Sequence, residues 1–253
     1  MTKLSVNVNK IALLRNARQG NTPSVVHMSR LALNAGAAGI TVHPRPDERH
    51  IRHHDVNDIA ELLNETEFYG EDSGGRGREF NIEGNPFLGE FLNHARNTRP
   101  DQCTLVPDDP NQSTSDHGWN LTQDLNRLKP IITELKQLGI RVSLFMDPDP
   151  EQIELVPKSG ADRIELYTES YAVAYAEGGD ALIKTHDTFA AAAACATGLG
   201  LGINAGHDLN LHNLSQFVTI PNILEVSIGH ALCADALEMG MAGAVKAYLD
   251  ILA

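Results

Sequence analysis

Short apolar runs alternate along the whole chain with longer stretches of helical character. Eight such runs are rich in β-branched and other apolar side chains and are bounded by glycine, proline or aspartate, which is typical of β-strands. They are close to continuously apolar, as expected for parallel strands that are buried on both faces. The runs cover residues 4–9, 39–45, 79–84, 102–107, 141–147, 163–168, 201–207 and 224–230.

The stretches between these runs predict helices. Pro23 is well placed in the first turn of a helix that Gly36 ends. Leucine and isoleucine recur at helical spacing over 121–138, where Pro130 predicts a kink or a division into two helices. Helices are predicted over 23–35, 55–64, 86–97, 121–138, 150–159, 180–198 and 233–251, and the weakest helical pattern is that of the short connection 208–219.

Eight strand–helix units in 253 residues match the size and rhythm of a (β/α)₈ barrel, also called a TIM barrel. We therefore predict an α/β fold with a parallel eight-stranded core and a few extra short helices, forming one domain over residues 1–253. In that fold the reactive side chains lie at the carboxyl ends of the strands, around a single opening. The residues predicted there are Asn7, Asn9, His43, Arg45, Glu83, Asp147, Glu165, His207 and His230.

Composition narrows the class of partner. The net charge of −13 argues against nucleic acid, which favours a basic face, and against anionic membrane surfaces. The longest apolar stretch, about 188–206, is rich in alanine and glycine and is too weak to span a bilayer. The three cysteines are widely spaced and form no CxxC pair, which fits a reducing cytosol. We therefore expect a soluble cytoplasmic protein with no nucleic-acid or membrane partner.

The segment HPRPDERHIRHHD, residues 43–55, concentrates histidine and arginine directly after the second predicted strand. Histidine carries protons near neutral pH, and arginine binds phosphate oxygens in a bidentate way. We therefore predict that His43 and Arg45 belong to a site for a phosphorylated substrate. The alternative is a set of structural side chains that are satisfied within the loop.

Polar side chains also end the first and third predicted strands. Asn7 and Asn9 alternate with valines, so both amides can point into the mouth of the barrel, and the alternative is that they only cap the strand. Glu83 closes an apolar strand, where partial desolvation would raise its pKa and suit it to acid/base work. The alternative for Glu83 is an ion pair with a nearby arginine.

The last two predicted strands both end in Gly-His, in INAGH (203–207) and SIGH (227–230). Glycine permits close approach of the backbone to a ligand, and the loops after strands 7 and 8 of such barrels often bind phosphate. The irregular segment 107–120 follows the fourth strand on the same face, where loops act as lids or substrate clamps. The Gly-rich segment 65–79 is predicted to be a surface loop on the opposite face.

Several of these motifs together resemble the pyridoxine 5′-phosphate synthase family. They are VNVNKIALLRNAR, GITVHPRPDERHI, FNIEGNP, RVSLFMD, IELYTESYA, INAGHDLN and EVSIGHAL, in this order over almost the whole chain. The resemblance implies a (β/α)₈ barrel that assembles into cytoplasmic homo-octamers and needs no cofactor and no metal. It also implies condensation of 1-deoxy-D-xylulose 5-phosphate with 3-amino-2-oxopropyl phosphate to pyridoxine 5′-phosphate, phosphate and water, a step of vitamin B6 biosynthesis.

The resemblance further implies roles for individual residues. His43 matches the first proton acceptor of the family, Glu83 the second, and His207 the proton donor. Glu165 matches an acid of the pocket to which no definite step is assigned. By the same resemblance Arg45, His50 and Thr114 are ligands of the deoxyxylulose phosphate, and Asn7 and Arg18 are ligands of the amino ketone phosphate. Gly229 and His230 match the last phosphate-contacting pair.

This chain departs from the family pattern at two places in the predicted substrate site. Many members carry Asp-His where this chain has Asn9-Lys10, and the change to asparagine removes a charge and a potential base. The residue after His207 is often glycine but is Asp208 here. Its backbone N–H can still contact phosphate, whereas its carboxylate is expected to point away. Asn9, Lys10 and Asp208 complete the predicted substrate-binding set.

Three other classes of function remain open from the residues alone. A metal-dependent barrel hydrolase or isomerase would use the histidine and carboxylate side chains at the strand ends as ligands. An aldolase would form a Schiff base on Lys10, which lies near a strand end. A barrel that only binds sugar phosphates would keep the arginines but would not need His43 or Glu83.

Overall fold

The computed structural model describes residues 1–65, 68, 77–112 and 114–253. Its strands form a closed parallel barrel in which each strand pairs with its neighbours in sequence and the last pairs with the first. This confirms the predicted (β/α)₈ barrel. The strands are β1 (Lys3–Asn7), β2 (Gly39–Val42), β3 (Glu79–Gly84), β4 (Gln102–Leu105), β5 (Arg141–Met146), β6 (Arg163–Tyr167), β7 (Gly202–Gly206) and β8 (Ile223–Ile228).

Helices surround the barrel, and none in the described part of the chain is long and apolar enough to cross a membrane. Most of the predicted helices are present with shifts of a few residues at their ends. The helices are α1 (Asn9–Asn16), α2 (Val25–Asn34), α3 (His53–Leu63), α4 (Phe91–Thr98), α5 (Leu121–Gln137), α6 (Pro150–Ile153), α7 (Val156–Ser159), α8 (Glu169–Glu177), α9 (Gly179–Gly198), α10 (Leu214–Phe217) and α11 (His230–Leu252).

Four helices differ from the sequence-based expectation. Pro130 does not divide α5, which runs as one helix from Leu121 to Gln137. The single helix predicted over 150–159 consists of α6 and α7, each with a proline in its first turn. The helix α8 was not predicted, because its sequence ESYAVAYAE lacks a polar face, and the left-handed Gly178 separates it from α9. The predicted loop 65–79 lies mostly outside the described residues.

The strands alternate between two kinds of buried side chain, so the expectation of continuously apolar strands is wrong for their inner face. Outward residues such as Val6, Ile40 and Ile82 are fully buried in the apolar core shared with the helices. The inward residues at the middle of the barrel are polar and buried, whereas bulky aliphatic side chains usually fill this space. These inward residues are Ser5, Thr41, Asn81, Thr104, Ser143, Glu165 and Asn204.

Hydrogen bonds link most of these inward side chains around the barrel, whereas the buried hydroxyl of Ser143 has no hydrogen-bond partner among the described residues. The hydroxyl groups of Ser5 and Thr41 lie 2.7 Å apart, and the Asn81 amide donates to Thr41 Oγ1 at 3.3 Å. The Thr104 hydroxyl lies 3.1 Å from Asn81 Oδ1 and 3.4 Å from Glu165 Oε2. Because buried polar groups are costly unless they are paired, this network is what allows a carboxyl group to lie at the middle of the barrel.

A second carboxyl group lies deeper in the same interior. Glu225 is 1% exposed, and its Oε1 accepts a hydrogen bond from the Asn204 amide at 3.4 Å. Its other oxygen has no hydrogen-bond partner among the described residues. Burial, with the charge of nearby Glu79, raises the pKa of Glu225 to about 8. The folded protein therefore holds Glu225 as a neutral acid over most of the neutral range.

Replacing Glu225 by glutamine is expected to flatten the dependence of stability on pH. A carboxyl group whose pKa rises on folding, from 4.5 to about 8 here, stabilises fully below the unfolded value and loses that contribution as the pH rises through the folded value. Glutamine keeps the neutral shape at every pH. The free energy of unfolding of Glu225→Gln should therefore gain about 1 kcal/mol or more relative to wild type between about pH 5 and about pH 8.

Urea unfolding at both pH values measures this difference. The exposed Glu238→Gln variant is the matched control and should follow the wild-type curve. A difference between Glu225→Gln and wild type that stays constant with pH would contradict a neutral Glu225.

Candidate active site

A cavity of about 320 Å³ opens at the carboxyl ends of the strands. It is predominantly polar, and Val106 and Phe145 supply its apolar wall. All the predicted site residues except Arg18 line it. Its described lining consists of Asn7, Asn9, Lys10, His43, Arg45, His50, Glu83, Val106, Thr114, Ser115, Phe145, Glu165, Glu169, His207, Asp208, Ser227, Gly229 and His230.

Two of the residues expected at the opening lie elsewhere. Arg18 follows α1 and is exposed, away from the cavity of its own chain. Asp147 follows β5 but does not line the cavity. The segment 107–120 covers that strand end, because the backbone N–H of Trp119 donates to the carbonyl of Phe145 at 2.9 Å.

His43 lies between two carboxyl groups. Its Nδ1 is 3.9 Å from Glu83 Oε2, and its Nε2 is 3.3 Å from Oδ2 of Asp108. The backbone N–H of His43 donates to Asn9 Oδ1 at 2.9 Å, which fixes the start of its segment to α1. Burial, followed by the positive charges of Arg45 and Arg49, lowers the pKa of His43 to about 3. His43 is therefore a neutral base near physiological pH.

Glu83 and Glu165 behave in the opposite way. Both side chains are buried, and Glu83 is bonded to the Asn7 amide at 3.3 Å and to the Ser227 side chain. Burial raises the pKa of Glu83 well above its usual range, and the charges of Glu165 and Asp108 add to this effect. Burial also raises the pKa of Glu165 to about 7. These contacts of Glu83 include no arginine, so they do not support the alternative of an ion pair.

His207 follows β7 with a positive φ of 85° and is held at both ring nitrogens. Its Nε2 is 3.0 Å from the Thr114 hydroxyl, and its Nδ1 is 3.1 Å from Asp208 Oδ2. The ring also packs edge-on against Tyr167, with centroids 4.9 Å apart. The carboxylate of Asp208, expected to point away, instead turns back onto His207, and this hydrogen bond lowers the pKa of Asp208.

The two glycines of the Gly-His motifs make room for side chains of the protein itself. A Cβ atom at Gly206 would lie 2.4 Å from Glu165 Oε1. A Cβ atom at Gly229 would lie 3.1 Å from Cβ of Asn7. Gly229 also immediately precedes α11, whose first backbone N–H groups can bind an anion at this rim.

The segment 43–55 is fixed by a buried contact with α1. The guanidinium of Arg15 forms an ion pair with Asp55 and donates to the backbone carbonyl of His50 at 3.0 Å. The Asn16 amide donates to the same carbonyl at 2.8 Å. His50 is buried, and its Nδ1 accepts the N–H of Ile51 at 2.9 Å. Burial, with the charge of His43 next, lowers the pKa of His50 to about 3.

Sequence reasoning missed Asp108, Ser115, Glu169 and Ser227. Asp108 lies in the segment 107–120, which the sequence placed on this face, but the PDDP run contains two aspartates and nothing in it distinguishes the buried one. Ser227 could have been found from strand alternation, because it is two residues before Gly229 in the β8 run.

Among the described residues, no group of three or more histidine, cysteine, aspartate or glutamate side chains has the geometry to hold a metal ion. The site instead combines a neutral base, two carboxyl groups whose pKa values burial raises, and a histidine–aspartate pair with the cations Lys10 and Arg45. These groups suit a barrel enzyme that transfers protons to and from a small anionic substrate.

Comparison with solved structures supports the fold. The tryptophan synthase A-subunit from Pyrococcus furiosus is similar with a TM-score of 0.59 at 13% identity, covering 98% of this chain and 97% of that chain. Phosphoribosylanthranilate isomerase from Thermotoga maritima is similar with a TM-score of 0.54 at 11% identity, covering 99% and 98%. At these identities the similarity shows the barrel fold alone.

Comparison with sequences identifies the family. Residues 4–253 match the model of the family described as pyridoxal phosphate biosynthesis protein PdxJ, and the chain belongs to this family. The pyridoxine 5′-phosphate synthase of Albidiferax ferrireducens is 51% identical, covering 100% of this chain and 98% of that protein. The enzymes of the same name from Xanthomonas axonopodis pv. citri and Bacteroides thetaiotaomicron are 52% and 49% identical over at least 96% of each chain.

Removing the buried partner of Arg15 is expected to destabilise the fold strongly. Arg15 and Asp55 are 0% and 3% exposed, so Asp55→Ala leaves a buried guanidinium without its counter-charge. We expect a loss of about 3–5 kcal/mol in the free energy of unfolding, measured by urea denaturation. The matched control is Asp47→Ala, which removes the exposed partner of Arg49 in the same segment and should cost less than about 1 kcal/mol. Equal losses in the two variants would contradict a stabilising role for the buried Arg15–Asp55 ion pair.

Proposed function

We propose that this protein is a pyridoxine 5′-phosphate synthase. It condenses 1-deoxy-D-xylulose 5-phosphate with 3-amino-2-oxopropyl phosphate, giving pyridoxine 5′-phosphate, inorganic phosphate and water. The observation that carries the proposal is the convergence of His43, Glu83, Glu165 and His207 on one cavity that also contains Lys10 and Arg45. Membership of the PdxJ family and similarity to full-length enzymes of that name support the same activity.

The proposed reaction begins with attack of the amine of one substrate on the ketone of the other, which gives an imine between the two substrates. Proton transfer converts the imine to an enamine. Inorganic phosphate leaves, a carbon–carbon bond closes the ring, and loss of water makes it aromatic. Together with the water expelled when the imine forms, the overall products are pyridoxine 5′-phosphate, one inorganic phosphate and two molecules of water. The protein holds two anions close together and moves protons between their carbon and oxygen atoms.

We propose an order for these proton transfers from the pKa shifts of the site residues. His43 is neutral because burial and two arginines lower its pKa, so it accepts the first proton. Burial raises the pKa of Glu83, which suits it to donate a proton before it serves as the second acceptor. His207, paired with Asp208, is placed to protonate a departing or carbonyl oxygen.

The two substrates are proposed to bind at two sides of the cavity opening. At the first rim, Arg45, His50 and Thr114 bind the deoxyxylulose phosphate. The amino ketone phosphate lies at the start of α11, where helix N–H groups favour an anion. The residues proposed to bind at this second rim are Asn7, Asp208 through its backbone N–H, Gly229 and His230. Arg18, which lies outside the cavity of its own chain, is not proposed as a ligand there.

The Asn9-Lys10 pair, which replaces the Asp-His of many family members, changes the charge and the hydrogen bonding beside His43. Asn9 uses its side-chain oxygen to accept the His43 N–H, and its own N–H donates to Asn7 Oδ1 at 3.0 Å. Asn9 is therefore a neutral link between β1 and His43 and leaves base catalysis to the buried groups. Lys10 lines the cavity and adds a positive charge for a phosphate.

The segment 107–120 is proposed to close over bound substrates. Arg45 and Arg49 both donate to the carbonyl of Gln112, at 3.2 and 2.8 Å, and Thr114 contacts His207. These contacts place the segment across the mouth of the cavity. Closure would exclude water from the imine, which water would otherwise hydrolyse.

The activity is tested by mixing the purified protein with both substrates and following pyridoxine 5′-phosphate and inorganic phosphate. Glu83→Gln and His43→Ala should each lower turnover by about 10²-fold or more, since each removes an acid/base group. The exposed His212→Ala variant is the control and should keep wild-type turnover. Wild-type rates in both site variants would remove their assignment.

The same mixtures discriminate against the other classes of function. Borohydride added with 1-deoxy-D-xylulose 5-phosphate should label no lysine, whereas a label on Lys10 would indicate an aldolase-type imine on the protein. Loss of activity on chelation would indicate a metal-dependent enzyme. Binding of both substrates without product would indicate a sugar-phosphate-binding barrel.

We further propose that the chain forms a homo-oligomer in the cytoplasm, an octamer by analogy with the family. In support, α1 and α11 pack together and both expose apolar side chains. Leu13 and Leu14 are 43% and 52% exposed, and Leu237 and Met239 are 80% and 44% exposed. Large exposed apolar side chains on two helices that pack together are a feature of protein interfaces.

Light scattering coupled to size exclusion measures the assembly. Leu14→Glu and Leu237→Glu should shift the protein to smaller species, because a charge would be buried at the interface. Ile183→Glu, which alters an exposed apolar residue on α9, is the matched control. A wild-type monomer would overturn the proposed assembly.

A further inference from the structure

Asp108 is a buried carboxyl group that no step of the proposed reaction uses. It is 5% exposed and does not line the main cavity, so it lies behind the residues that meet the substrate. Its backbone carbonyl accepts the Asn85 amide at 2.9 Å, which anchors the start of the segment 107–120 to the end of β3. A buried charge is retained only where partners compensate it, so its contacts indicate what it does.

One oxygen of Asp108 serves two residues of the site. Oδ2 accepts a hydrogen bond from Arg45 Nη2 at 2.5 Å, and the same oxygen lies 3.3 Å from Nε2 of His43. Arg45 therefore takes the better contact, and His43 takes the longer one. A side-chain hydrogen bond with Ser115 is the further partner of this carboxyl group.

The shared oxygen of Asp108 therefore contacts both the guanidinium of Arg45 and the imidazole of His43. After burial, the positive charges of Arg45 and Arg49 disfavour protonation of His43, and they act on it from the same side of the site as Asp108. The titratable and charged groups around His43 and its neighbour His50 are Glu83 from β3, Asp108 from the segment after β4, Lys10 from α1, and Arg45 and Arg49 from their own segment.

We propose that Asp108 is a positioning residue that exchanges partners: it holds Arg45 in the free protein and becomes the partner of His43 once an anionic group of the substrate engages Arg45. The proposal rests on the proposed function, in which Arg45 binds substrate and His43 accepts a proton. The substrate anion neutralises Arg45, which removes its repulsion from His43 and leaves the Asp108 carboxylate facing Nε2–H. Nδ1 is then fixed as the atom that accepts the proton, and its basicity rises only after substrate is bound.

The test compares Asp108→Asn with Asp109→Asn, a matched control that changes an exposed aspartate in the same loop. Binding of 1-deoxy-D-xylulose 5-phosphate, and separately of inorganic phosphate, is measured by calorimetry at about pH 5.5 in buffers of different ionisation enthalpy. Wild type and Asp109→Asn should take up protons on binding, and Asp108→Asn should take up fewer by at least about half a proton. Asp108→Glu, which keeps the charge, should retain the uptake.

Kinetics separate positioning from simple structural support. Asp108→Asn no longer competes for Arg45, so it should bind the anion at least as tightly as wild type while kcat falls about 10- to 100-fold. The pKa that governs kcat should lie above the one that governs kcat/KM in wild type, and this difference should disappear in Asp108→Asn. Weaker anion binding with unchanged proton uptake would overturn the proposal.

Failure of the proposed function gives a different result. If wild type makes no product from the two substrates, the function fails, and the calorimetric comparison still decides the role of Asp108. If wild type makes product and Asp108→Asn keeps wild-type kcat and proton uptake, the function stands and the exchange of partners is wrong.

Discussion

The polar inner face of the barrel is the constraint on which the site depends. Side chains from neighbouring strands are hydrogen-bonded to one another inside the barrel, where most barrels of this class place aliphatic groups. A carboxyl group can lie there only because hydroxyl and amide partners surround it, and it stays protonated because water is excluded. The position and the raised pKa of the acids proposed to move protons are therefore determined by the barrel interior and not by the loops.

The cations of the site come from a different part of the fold. Arg45 and Lys10 belong to the segment after β2 and to the start of α1, and the Arg15–Asp55 pair fixes these two elements to each other. Oppositely charged groups in one cavity would neutralise one another if they met directly. Here burial raises the pKa values of the interior acids, which favours their neutral forms, and Arg45 is paired with Asp108. The site can therefore present positive charge to a phosphate and keep proton carriers beside it.

Much of this could be predicted from the sequence, since parallel strands followed by helices specify a barrel and bring strand ends together. The raised pKa of Glu83 followed from its position at a strand end. The polar inner face was not predicted from the sequence, because the serine and threonine residues of the runs were treated as parts of apolar strands. Every second residue of a strand points inward, and Ser5, Thr41 and Thr104 occupy such inward positions on their strands. The burial of Asp108 could not be predicted, because it depends on how the segment 107–120 folds back over β5.

Gly206 on β7 lies directly against the side chain of Glu165 on the neighbouring strand β6. Its missing side chain is the space that the carboxyl group of Glu165 occupies. A methyl group at position 206 would displace that carboxyl group from the hydroxyl of Thr104. A side chain at position 206 would therefore require the Glu165 carboxyl group to change its rotamer, so the identity of residue 206 on β7 sets where the carboxyl group of β6 can lie.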